Sequence, residues 1–72
     1  MTQTRKATFY AIVIISGLDI QFQTKRGYFT EEFLSRNIED AILYNNNKEY
    51  MEELIKEFYK YKILRVEAEF KI

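Results

Sequence analysis

Apolar and polar residues change their spacing three times along the chain, and each spacing predicts an element. Residues 7–15, Ala-Thr-Phe-Tyr-Ala-Ile-Val-Ile-Ile, are β-branched and aromatic and predict a strand. Residues 19–25, Asp-Ile-Gln-Phe-Gln-Thr-Lys, alternate strictly, the pattern of a strand with one wetted face. Between them Gly17-Leu18 suits a two-residue type II′ loop, because glycine supplies the positive φ of the first position. The resulting hairpin sets Ile15 against Ile20, Val13 against Phe22 and Ala11 against Thr24. On the opposite face Ile14 meets Gln21, Ile12 meets Gln23 and Tyr10 meets Lys25. A one-residue slip would put glutamines in the core, so the pattern selects this register. Phe9, Ala11, Val13, Ile15, Ile20 and Phe22 then form the core face, and Tyr10, Ile12 and Ile14 the open one.

The middle of the chain reads as helical. Thr30 is a good N-cap, and Glu31 and Glu32 follow where the helix dipole favours acids. Phe33, Leu34, Ile38, Ala41 and Ile42 recur at helical spacing, and Asn45-Asn46-Asn47 ends the run. Asn46 with Glu49 resembles a capping box. A second helix then extends to about Tyr59, with Tyr50, Met51, Leu54, Ile55 and Phe58 as its stripe. The tail alternates again, with Leu64, Val66, Ala68, Phe70 and Ile72 on one side of a third strand. The first strand is apolar on both faces and is placed centrally. The expected fold is α+β, ββααβ: a three-stranded antiparallel or mixed sheet of order 2-1-3 with two helices packed on one face. Residues 1–72 form one domain, with 1–6 as a frayed polar arm.

Composition changes this picture mainly by exclusion. The 72 residues include no His, Cys, Trp or Pro. That removes disulfides, Cys/His zinc sites, thiol nucleophiles and imidazole bases. At 47% apolar and 31% charged residues the chain is globular in composition. The longest strongly apolar run, Ala11–Ile15, is too short to span a bilayer, and Met1–Lys6 does not read as a signal peptide. A cytoplasmic protein with no membrane partner is expected. Phe, Tyr, Ile, Asn and Lys, which have AT-rich codons, far outnumber Gly, Ala, Arg and Pro. That points to a low-GC genome such as those of many bacteria and their phages, hence to a bacterial host cell.

Little in the chain points to chemistry. Glu31/Glu32 and Glu39/Asp40 are adjacent on a helix, where consecutive side chains diverge by about 100° and share no site. Gly17 and Gly27 are isolated, so no phosphate-cradling loop exists. No catalytic residue, cofactor or metal site is expected, and the protein reads as a non-enzyme.

Charge directs attention to binding. Residues 1–30 carry a net +3, residues 31–57 a net −5 and residues 58–72 a net +2. Glu49, Glu53 and Glu57 fall at i, i+4 and i+8 of the second helix, with Glu52 beside them and Lys56 four residues on. An acidic row of this kind suits a basic partner surface, such as a nucleic-acid-binding groove on another protein. The first expectation is therefore a small non-enzymatic protein-binding module. A phage or mobile-element inhibitor of a host factor, of the anti-CRISPR or another anti-defence type, would be one example. It would block its target sterically with Glu49, Glu52, Glu53 and Glu57. Tyr10, Ile12 and Ile14, expected in the open, would support self-association as a homodimer. The second expectation is a small nucleic-acid-binding regulator: Lys25, Arg26 and Tyr28 set two cations beside an aromatic, joined by Arg5 and Lys6. A net charge of zero argues against that reading. The third is an accessory subunit stable only in an oligomer.

Overall fold

The computed structural model describes residues 3–71. Strands β1 (Thr4–Ser16) and β2 (Asp19–Gln23) form the hairpin, with Val13 opposite Phe22, Ile14 opposite Gln21 and Ile15 opposite Ile20. Gly17 has φ 61° and Leu18 does not turn left-handed, as a type II′ loop requires. Strand β3 is only Leu34–Ser35, helix α1 is Lys48–Leu54, and β4 is Tyr61–Lys71. The sheet is antiparallel, of order β3-β2-β1-β4. The β1–β4 ladder runs unbroken from Thr4 opposite Lys71 to Ile14 opposite Tyr61. Thr4–Lys6, expected as a frayed arm, therefore continue β1. Met1 and Thr2 of that expected arm, and Ile72, expected at the end of the third strand, lie outside the described residues.

Among the described residues the fold thus has four strands and one α-helix, where three strands and two helices were expected. The first expected helix gives way to single 3₁₀ turns at Glu31–Phe33 and Ile38–Asp40, with β3 between them. Short polar side chains hold this segment. The Ser35 hydroxyl accepts from the Asn37 N–H at 3.1 Å and donates to Asp40 at 2.8 Å, while Asn37 Oδ1 accepts from the Glu39 N–H at 3.0 Å. Such local bonds compete with a helical ladder. Farther on, Ile42 and Tyr44 point into the core while Leu43 stays exposed, a period of two. The Ile42 N–H donates to the Gln23 carbonyl, and Tyr44 exchanges two bonds with Tyr10, at 2.9 and 2.7 Å. This stretch is strand-like in its pairing.

The second helix forms but stops early. Asn47 rather than Asn46 caps it, accepting from the Tyr50 N–H at 2.8 Å. After Leu54 the chain turns back toward β4, and Phe58 stacks on Phe29 with ring centroids 4.1 Å apart. Tyr61 meets Phe29 edge-on at 5.1 Å. Aromatic pairs of this geometry are worth about 0.5–1.5 kcal/mol each beyond their buried area.

Both faces of the sheet are buried at their centre: Ala11, Val13 and Phe22 of the expected core face are buried, while Ile15 and Ile20 of that face are exposed, and the face expected to be open carries the larger cluster. Ile12 and Met51 are fully buried together with Tyr44 and Tyr61, and Tyr10, Ile14, Phe29, Leu54, Ile55 and Ile63 pack around them. Gln23 belongs to the same layer and is buried. Its amide satisfies this position by accepting from the Tyr44 hydroxyl at 2.6 Å and donating to the Tyr28 carbonyl at 3.1 Å. Burial pushes the Tyr44 phenol above its ordinary pKa, so it remains a donor across the neutral range. Tyr44→Phe would leave the Gln23 carbonyl buried and unpaired. Urea unfolding is expected to show a loss of about 1–3 kcal/mol; an unchanged midpoint would mean that water already serves this group.

Candidate interaction surfaces

The expected acidic row is broken by the end of the helix. Glu49, Glu52 and Glu53 lie on α1 and are exposed, but Glu57 falls beyond it in the turn. Lys48 approaches Glu52 at 3.9 Å and Lys56 approaches Glu53 at 4.0 Å. Both pairs are exposed and worth little individually. They nevertheless offset the negative field that the row was expected to present.

The cation–aromatic segment is folded back on the protein. Lys25 Nζ sits 4.4 Å from the centre of the Tyr28 ring and 5.3 Å from that of Phe33. The Arg26 guanidinium lies 4.6 Å from the Tyr44 ring centre. Gly27, at φ 80°, makes the turn that brings these groups together. A cavity of about 170 Å³ opens between this loop and α1, lined by Arg26, Gly27, Phe29, Tyr44, Tyr50 and Leu54. The aromatic faces that could stack on a base are partly occupied by the protein's own cations. Arg5 and Lys6 lie at the far end of β1 and do not join this cluster.

Tyr10, Ile12 and Ile14, expected as an open self-association surface, are core residues beneath α1 and its aromatic neighbours. The opposite face, the one expected to be the core, is buried at its centre and exposed at its rim. Ala11, Val13 and Phe22 are buried there by one another and by Ala41, Leu64 and Val66. Around that centre Ile15 is 49% exposed, Ile20 36% and Phe70 49%. Phe9 meets Phe70 edge-on at 6.2 Å, so the apolar band continues toward the terminal end of the β1–β4 ribbon. The charged residues that β1, β2 and β4 place on this face are Arg5 and Lys62, both cations. The acids of these strands, Asp19, Glu67 and Glu69, share the parity of the other face.

Backbone polarity adds a second surface. Tyr10 directs its N–H and C=O toward Tyr44, so in β1 the even-numbered residues face that side and the odd-numbered ones face β4. The β4 partners of the odd residues are even-numbered. Ile63, Arg65, Glu67, Glu69 and Lys71 therefore turn their N–H and C=O groups to the outer edge. Tyr61 does the same and spends its N–H on the Phe58 carbonyl at 2.9 Å. Among the described residues no strand lies beyond β4.

Among the described residues no three acidic side chains converge, and no helix is long and apolar enough to cross a membrane. The residues that matter to these surfaces but escaped the sequence reading are Gln23, Tyr44, Arg36 and Phe70. Gln23 falls on the strand face expected to be wet, and Tyr44 lies outside the apolar stripe of the expected first helix. Arg36 sits within the segment expected to be helical, yet it clasps Asp19 through two hydrogen bonds of 2.8 and 3.2 Å. Phe70 was visible in the tail's alternation, but on the face taken to be covered.

The Arg36 clasp holds the Asp19 carboxyl below the ordinary carboxylate range, chiefly through its hydrogen bond and with help from Gln21. A depressed acid contributes stability above its unfolded pKa and loses it as pH falls through the folded value. The contribution is therefore fully present at neutral pH, and its dependence on pH is confined to the acid range. Carboxyl-detected NMR titration of Arg36→Ala should move the Asp19 midpoint up toward its ordinary value; identical midpoints in both proteins would count against the clasp. The chain matches no protein-family model, and it is similar to no curated protein and no solved structure, so its functional reading rests on geometry.

Proposed function

We propose that this protein is a non-catalytic binding module whose working surface is the sheet face that exposes Ile15, Ile20 and Phe70. The observation that carries this reading is an exposed apolar rim, Ile15, Ile20 and Phe70, around the buried centre that Ala11, Val13 and Phe22 form on β1 and β2. A sheet face of this kind is ordinarily closed by a packed layer, and exposed apolar patches on small proteins mark interaction sites. A helix is the element that complements a twisted sheet. Its partner-facing stripe would be aliphatic, and its flanks acidic, because Arg5 and Lys62 are the charges bordering the band. The occupant is therefore an amphipathic, acidic-flanked helix of another protein. Steric blocking by Glu49, Glu52, Glu53 and Glu57 receives less support, since the helix end splits the four and two lysines attend them.

A synthetic amphipathic helix with a leucine stripe and glutamate flanks provides the probe. NMR titration is expected to shift Phe9, Leu64, Val66 and Phe70. Phe70→Glu, at an exposed position, is expected to weaken binding about tenfold, the loss of one good apolar contact. Shifts confined to α1, or undiminished binding by that variant, would defeat the reading.

A further inference from the structure

The outer edge of β4 is long, regular and self-complementary. It runs eleven residues without Pro, Gly or a break in register. Natural edge strands are usually guarded by shortness, bulges or repelling charges. Here the outward-facing residues carry both signs instead, Arg65, Glu67, Glu69 and Lys71 in order, and Arg65 and Glu67 already touch at 3.2 Å within one strand.

We propose that β4 pairs edge to edge with β4 of a second copy, antiparallel, about a two-fold axis at Val66. Three independent features select this arrangement. The first is overlap: Val66 is the midpoint of Tyr61–Lys71, so the two strands cover each other fully. The second is backbone parity. Outward-facing odd residues must meet odd residues, and here Arg65 faces Glu67 and Ile63 faces Glu69, each twice. Those four pairs supply about eight main-chain hydrogen bonds. The third is charge. Both Arg65–Glu67 contacts across the axis join opposite signs. Sliding the register by one permitted step sets Arg65 against its own copy in one direction; in the other it sets Glu67 against its own copy, with Arg65 opposite Glu69, and there the shorter overlap of the strands counts against it. Like charges directly opposite destabilise a strand pair.

A two-fold axis perpendicular to the sheet keeps the same face up in both copies. The apolar faces then merge into one sheet of eight strands, with both α1 helices on the reverse side. An isologous contact of this type closes on itself and does not propagate. The pairing rests on the strand edge alone and is independent of what covers the apolar face.

The test is charge exchange. Arg65 and Glu67 are exposed, with side-chain accessibilities of 65% and 62%, so Arg65→Glu and Glu67→Arg should leave the circular dichroism melt of the monomer intact. Sedimentation equilibrium on the native chain up to millimolar concentration is expected to show a monomer–dimer equilibrium. Each variant alone sets like charges opposite twice and should weaken the dimer about tenfold or more. An equimolar mixture of the two pairs Glu with Arg at both contacts and should restore it. Amide exchange at Arg65 and Glu67 in the native chain should slow as concentration rises. A native chain that stays monomeric would overturn the proposal, as would single variants that dimerise as tightly as the native chain. A mixture that fails to recover the dimer would also refute it. Helix-peptide binding, read separately through Phe70→Glu, reports on the apolar face and not on this edge.

Discussion

The unbroken ladder between β1 and β4 is the constraint on which the rest of the molecule depends. It joins the beginning of the described chain to its end, with Thr4 opposite Lys71 and Ile14 opposite Tyr61. Every other element is hung on one side of it. Strand β2 and the Tyr44 bridge share the far edge of β1, the first along Val13–Ser16 and the second at Tyr10. Closing the chain between residues far apart in sequence carries a loop-entropy cost. The compensation comes from the buried layer that forms only once the ladder is in place, centred on Ile12 and Met51.

That layer is held in position by a polar contact at its heart. Gln23 ends β2 and is buried, where an unpaired amide would be expensive. It is tied on one side to the Tyr44 hydroxyl and on the other to the Tyr28 carbonyl. Three separate segments, β2, the 24–29 loop and the strand-like stretch ending at Tyr44, are thereby located relative to one another. The Phe29 ring then stands where Phe58 can stack on it, and the turn after α1 is drawn toward the start of β4. Among the described residues no buried side-chain nitrogen or oxygen lacks a partner, so this mixed apolar and polar layer is internally satisfied.

The hairpin and the last strand were legible in the sequence because period-two alternation and a Gly-Leu loop have few structural solutions. The register of Val13 with Phe22 and Ile15 with Ile20 followed from the same pattern. That α1 would also close over the face of Tyr10, Ile12 and Ile14 was not legible. β1 is apolar on both sides, and the polar residues that seemed to mark the wet face, Gln21 and Gln23, find partners in Asp19, Tyr44 and the Tyr28 carbonyl. The false helix at residues 31–44 has a similar origin. Phe33, Leu34, Ile38, Ala41 and Ile42 fit a helical stripe. Yet Ser35 and Asn37 offered the backbone local bonds, and Gln23 and Tyr10 offered it strand partners. Tertiary pairing overrode local propensity. The acidic row fell with the helix length: three of its members depend on α1, and the fourth needed a turn that never forms.

The geometry of the ribbon explains why most of its charges lie on one side. Beyond the Tyr10–Tyr44 bridge, β1 and β4 continue as two strands alone, and the molecule extends 46 Å along one axis against 25 and 21 Å along the others. A two-stranded ribbon is marginal in water without a packed face or a third strand. On one side its residues are Arg5, Ala7 and Phe9 with Val66, Ala68 and Phe70; on the other they are Thr4, Lys6 and Thr8 with Glu67, Glu69 and Lys71. The second side can remain in water, with Lys6 directly across from Glu69. The first side gains only from burial, and the Phe9–Phe70 contact removes part of its area from solvent. What remains is an amphipathic ribbon that is stable to the extent that something lies on its apolar side or along its edge. Its least supported segment is therefore also the place where association would stabilise the fold most.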